Sequence, residues 1–132
     1  MCARGIVWQL ETEDVESALR ARSRYLEVVK SHEGWPLDDY AASVVYTELV
    51  GNVLRYAAPP IKITLHCDGA EVRLNVSDRG PGFDFAAPPK PSALSEGGRG
   101  LFLVSHYAGE VEVQRHEGKG TTVIAVLVRA PV

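Results

Sequence analysis

Cysteine is nearly missing from this 132-residue chain: Cys2 and Cys67 are the only two, enough for one bridge at most. That argues against a disulfide framework and for a reduced, cytoplasmic protein. No pair of Cys or His residues has the close spacing of a structural zinc site. Long apolar runs are missing as well. The longest, Val123 to Val128, is six residues, against the ~20 that cross a bilayer. Arg4 and Gly5 interrupt the first ten residues, which therefore lack the apolar core of a signal peptide. Positive charge is not in excess, with 14 Lys+Arg against 17 Asp+Glu and a net charge of -3. This balance excludes direct nucleic-acid binding by broad phosphate neutralisation but leaves room for a local basic site. Repeats, low-complexity tracts and linkers are absent, so residues 1–132 read as one domain. What is present is ordinary for a packed fold: 45% hydrophobic and 23% charged residues.

Periodicity supplies the elements. Ile6, Trp8 and Leu10 alternate, predicting a strand over Gly5–Glu11. Thr12 or Glu13 is placed to cap a helix carrying Val15, Leu19, Leu26 and Val29 on one stripe, ending before Gly34. Pro36 fits the first turn of a second helix with Leu37, Tyr40, Ala41, Val44, Val45 and Leu49, which Pro59 and Pro60 must stop. Ile61, Ile63, Leu65 and Cys67 then alternate with polar residues, Asp68-Gly69 signals a hairpin, and Val72, Leu74 and Val76 form the return strand. A Gly- and Pro-rich loop spans Arg79 to Gly98, a third helix starts near Gly100, and strands near Glu110–His116 and Thr121–Val128 follow. Five strands with three helices predict a two-layer α+β sandwich: a mixed, mostly antiparallel sheet with the helices on one face.

Four places suggest chemistry. The parity that buries Val72, Leu74 and Val76 also turns Asp78 toward the helix layer, where a carboxylate needs hydrogen-bond donors. It is either a turn cap before Gly80-Pro81-Gly82 or the acceptor for a bound base, with Gly80 and Gly82 letting backbone approach the ligand. Glu48 and Asn52, one turn apart on the second helix, share a face near Val44 and Val45. The pair suits a divalent cation or a polarised water, with Asn as neutral ligand and Glu as base; an ordinary polar helix face gives the same spacing. Gly98-Arg99-Gly100-Leu101 opens the third helix with free N–H groups, as a phosphate cradle would, or simply as a turn. Gly118 to Thr122 reads as a tight turn into the last strand. Neither the Walker loop nor the G-x-G-x-x-G pattern occurs.

The order Glu48-x3-Asn52, Asp78-x-Gly80-x-Gly82, Gly98-x-Gly100 at a helix start and Gly120-Thr121 before the last strand resembles the boxes of the Bergerat-fold (GHKL) ATP-binding superfamily. The likeness covers about residues 10–128. The wording Glu48-Leu-Val-Gly-Asn52, Asp78-Arg-Gly-Pro-Gly-Phe-Asp84 and Gly97-Gly-Arg-Gly-Leu-Phe-Leu-Val104 is similar to the RsbW and SpoIIAB type of anti-sigma factor serine/threonine kinases. The resemblance implies Mg-ATP as cofactor. Asp78, with Thr121 beside it, would take the adenine amino group, and Gly80 and Gly82 would floor that pocket. Asn52 would hold Mg2+, Glu48 would activate the attacking hydroxyl, and Gly98, Arg99, Gly100 and Leu101 would bracket the phosphates. The implied partners are a sigma factor and a small anti-anti-sigma antagonist that is phosphorylated on Ser or Thr, and a homodimer is compatible with the family. Where the family often has His, four residues after the metal-binding Asn, this chain has Tyr56. The alternative is a partner-binding module gated by nucleotide without transfer.

Overall fold

The computed structural model describes residues 4–32, 34–56, 60–78, 103–116 and 120–131. Strand β1 (Gly5–Thr12) leads into helices α1 (Val15–Arg20), α2 (Arg22–Lys30) and α3 (Asp39–Tyr56). Strands β2 (Ile61–Cys67) and β3 (Val72–Asp78) form a hairpin. A helical turn over 103–107 precedes β4 (Ala108–His116) and β5 (Gly120–Leu127). The sheet order is β1-β2-β3-β5-β4. Every pairing among the described residues is antiparallel, so the expected mixed sheet is antiparallel throughout. Inserting β5 between β3 and β4 makes those two outer strands parallel in direction without pairing them.

Alternation decides which sheet face is covered. In β2, β3 and β5, Ile61, Ile63, Leu65, Val72, Leu74, Val76, Val123 and Ala125 are buried against the helices. Their neighbours of opposite parity stay partly open. The apolar area hidden this way is the main favourable term, roughly 1.5–3 kcal/mol for each large side chain. The β2–β3 turn is built as Asp68-Gly69 predicts. Asp68 Oδ1 accepts from the N–H groups of Ala70 (2.9 Å) and Glu71 (2.8 Å), and Gly69 takes φ +97°, a value side chains disfavour. Those two backbone bonds, and then Arg73, hold the Asp68 carboxyl far below its ordinary range.

Three expectations need correction. The first predicted helix is two, broken at Ala21, and its cap is Asp14, whose carboxylate accepts from Glu16 N–H (3.0 Å). Thr12 instead accepts from Asp14 N–H. The break has a physical cause: the Tyr46 hydroxyl donates to the Ala18 carbonyl at 2.6 Å, so a side chain enters the ladder of backbone bonds. The second predicted helix does not begin at Pro36. Residues 36–38 run extended beside the chain end, with Asp38 N–H to Val128 O (3.0 Å) and Ala130 N–H to Pro36 O (2.9 Å). Asp38 then caps α3 by accepting from Ala41 N–H at 3.0 Å. Finally, Cys67 is not a free thiol: it is buried and disulfide-bonded. The expectation of a reduced chain fails there.

An aromatic knot joins the helices to β1. Tyr25 and Tyr46 stack at 4.5 Å, and Trp8 lies 6.1 Å and 6.4 Å from them. The Tyr25 hydroxyl donates to Ala42 O at 2.9 Å. Burial pushes both phenols far above their ordinary pKa, so they stay neutral donors.

Candidate nucleotide site

The end of β3 and the start of β5 meet in one row. β3 pairs with β5 through Val76↔Val123 and Ser77↔Thr122. One further step of that antiparallel register sets Asp78 opposite Thr121. On its other side Asp78 pairs with Ile61. Asp78 is 4% exposed and Thr121 1% exposed, both with the parity of the covered face. The turn before Thr121 ends in Gly120 at φ +100°, as the turn signal requires. A cleft of about 110 Å³ at this edge is bordered by Glu11, Pro60, Ile61, Lys62, Ser77 and Asp78.

Chain continuity brings α3 to the same row. Only residues 57–60 separate the end of α3 from Ile61, and α3 packs on β3 and β5. Asn52, one turn from the end of α3, is 1% exposed. Among the described residues neither its Oδ1 nor its Nδ2 has a hydrogen-bond partner, and the buried Oγ1 of Thr121 has none either. A buried amide left this way costs about 1–3 kcal/mol per unmade bond. Native interiors rarely accept that cost without a use for the group.

Glu48, one turn before Asn52, is half-buried and lines an open groove of about 300 Å³ between α3 and residues 103–107. Spacing alone sets Glu48 one turn before Asn52 on α3. It missed the rest of the groove: Arg22, Tyr40, Ser43, Thr47, Leu103 and Tyr107 come from three separate stretches of chain. The i−4 steps from Asn52 back through Glu48 and Val44 to Tyr40 were a usable signal for one wall. Nothing local marks Arg22. Gly80, Gly82, Gly98, Arg99, Gly100 and Leu101 lie outside the described residues.

The donor set bears on a metal. Among the described residues no group of three or more His, Cys, Asp or Glu side chains gathers to hold an ion. The single neutral oxygen of Asn52 fits Mg2+, which keeps most of its ligands from water and phosphate. It does not fit a metal that needs an all-protein cage.

Similarity to known proteins gives the family and the fold. Residues 12–127 match the family model described as "Histidine kinase-like ATPase domain". Among solved structures, the histidine kinase domain of the E. coli osmosensor EnvZ is 18% identical with a TM-score of 0.52, covering 96% of this chain and 91% of that one. The catalytic domain of histidine kinase ThkA is 17% identical with a TM-score of 0.57, over 93% of this chain and 97% of its own. Histidine kinase AdeS of Acinetobacter baumannii is 14% identical with a TM-score of 0.55, over 92% of this chain and 68% of that chain. At such identities the likeness is one of fold.

Proposed function

Since the chain belongs to the histidine kinase-like ATPase domain family, we propose that it is a serine/threonine protein kinase of the anti-sigma type. In this reading it transfers the γ-phosphoryl group of Mg-ATP to a hydroxyl of a small antagonist protein and so regulates a sigma factor. The observation that carries the reading is Asn52: a buried amide with both polar atoms unpaired, one helical turn from a half-buried carboxylate.

Each residue then has a task. Asp78 accepts from the exocyclic amine of the purine, and the Thr121 hydroxyl across the register is available to the same edge of the base. A site built to hydrogen-bond an amine discriminates against bases that lack it. Asn52 Oδ1 is the group that would hold Mg2+, whose chemistry when bound is to neutralise phosphate charge. Glu48 takes the proton of the acceptor hydroxyl. Phosphoryl transfer asks little covalent work of a protein: positioning, charge neutralisation and one base suffice.

The experiment is transfer of labelled phosphate from Mg-ATP to a candidate antagonist protein. The expected product is an acid-stable Ser or Thr ester on that partner. Acid-labile label would indicate phosphohistidine and a different kinase class. Nucleotide-dependent binding of the partner with no label would favour the gated binding module instead.

A further inference from the structure

Asp78 and Thr121 have the parity of the covered face, and the residue next to each has the other parity. Ser77 and Thr122 are half-buried on the side of the sheet away from the helices, directly behind that pair. They are partners in the β3–β5 register, and among the described residues that register ends with them. Asp78 is tied on its β2 side by its pairing with Ile61. Toward β5 the nearest tie in the register is Ser77 with Thr122. Their side chains also join: Ser77 Oγ and Thr122 Oγ1 share a hydrogen bond of 2.8 Å. His116 of β4 brings its Nε2 to the same Thr122 oxygen at 3.0 Å. The register explains this reach. His116 is paired with Gly120, which has no side chain to meet it, so the imidazole turns to the diagonal neighbour. Gln114, directly opposite Thr122, donates to Glu112 instead.

We propose that the row Ser77–Thr122–His116 positions the base pocket: Thr122 ties β3 to β5 from behind and so fixes where Asp78 stands relative to Thr121. The proposal rests on the reading of Asp78 as acceptor for the purine amine. Ser77 connects the row to the pocket, since it borders the same cleft of about 110 Å³ as Asp78. A hydroxyl offers one donor and two acceptor sites, so Thr122 Oγ1 serves both neighbours at once. Binding groups must be held to within roughly 0.5 Å by the residues that support them. Recognition of the amine by one carboxylate is sensitive to that tolerance, because a hydrogen bond weakens steeply off its preferred distance and angle. The two links of the row differ in weight. The Ser77–Thr122 bond is partly buried, whereas His116 is exposed and water competes for its ring. Thr122 is therefore a positioning residue that acts through the strands, with His116 as the weaker outer support.

The test uses the full chain. Displacement of the fluorescent nucleotide TNP-ATP gives the affinities for ATP and for purine riboside triphosphate, which lacks the exocyclic amine. Thr122→Val is expected to weaken ATP by roughly 2–10-fold, the net worth of one hydrogen bond. Binding of the analogue should not change, so the preference for ATP narrows by that factor. Thr122→Ser keeps the hydroxyl and should keep the wild-type preference. Ser77→Ala removes the same bond from the other strand and should act like Thr122→Val, while His116→Ala should have a smaller effect. An unchanged preference in Thr122→Val, an equal loss for both nucleotides, or a narrowed preference in Thr122→Ser overturns the proposal. Should Thr122→Val fail to fold, Ser77→Ala decides by the same criteria. Wild-type protein that binds both nucleotides alike removes the Asp78 reading and the proposal with it, but leaves a nucleotide site standing. No TNP-ATP binding by the wild type removes the site as well.

Discussion

Tyr46 and Asn52 stand less than two turns apart on α3, both in the interior, and the fold treats their polar atoms in opposite ways. The Tyr46 hydroxyl finds the Ala18 carbonyl at 2.6 Å, and its stacked neighbour Tyr25 finds Ala42 O at 2.9 Å. Among the described residues Asn52 finds no partner, and neither does the Thr121 hydroxyl at the strand end. A satisfied buried donor fixes one arrangement of helices; an unsatisfied one raises the energy of the protein without a ligand and is repaid on binding. Tyr46 therefore belongs to the scaffold, and Asn52, with the row Ile61–Asp78–Thr121, to the proposed site.

The contrast can be broken by mutation, because the two regions should fail in different measurements. The largest effect is expected from Glu48→Ala. Loss of a general base lowers transfer by ~10²–10⁴-fold, while nucleotide affinity, followed by calorimetry, stays near the wild-type value. If transfer survives, Glu48 is not the base. Asp78→Asn comes next: an acceptor is traded for a group that also donates toward the purine amine, and nucleotide Kd should rise by roughly 10–100-fold. Undiminished affinity would move the base elsewhere. Tyr46→Phe belongs to the scaffold and should cost about 1–3 kcal/mol in urea unfolding, with nucleotide Kd unchanged in the folded variant. A variant that loses affinity but keeps its stability would erase the division between Tyr46 and Asn52. Smallest of all is Thr121→Val, which removes an unpaired buried hydroxyl at nearly constant volume. Unfolding without nucleotide should show a gain of up to about 1 kcal/mol, whereas the stabilisation added by saturating nucleotide should shrink. A clear loss of stability would mean that Thr121 is already paired in the free protein.

Much of the sheet was legible along the chain. The alternation from Ile61 to Cys67 and from Val72 to Asp78 matches β2 and β3 residue for residue, since a half-covered strand must repeat every two residues. That parity also located Asp78. Helix boundaries were less legible, because they depend on partners distant in sequence. The break at Ala21 needs Tyr46, and the late start of α3 needs the pairing of residues 36–38 with 128–130. A proline compatible with a first helical turn is equally compatible with an extended approach to one. The spacing of Glu48 and Asn52 was visible as well, but it could not tell a solvated pair from one in which the amide is buried without partners.

Local periodicity by itself determined the strands, the shared helix face of Glu48 and Asn52, and the inward direction of Asp78, because each of these is a property of consecutive residues with a fixed repeat. Tertiary structure alone decided that Thr121 and Asp78 come to one end of the sheet, that Asn52 is buried without a partner among the described residues, and that Arg22 shares a groove with Glu48. Those are contacts between segments far apart in the chain. Desolvation and register are set only when the sheet and helices close on one another.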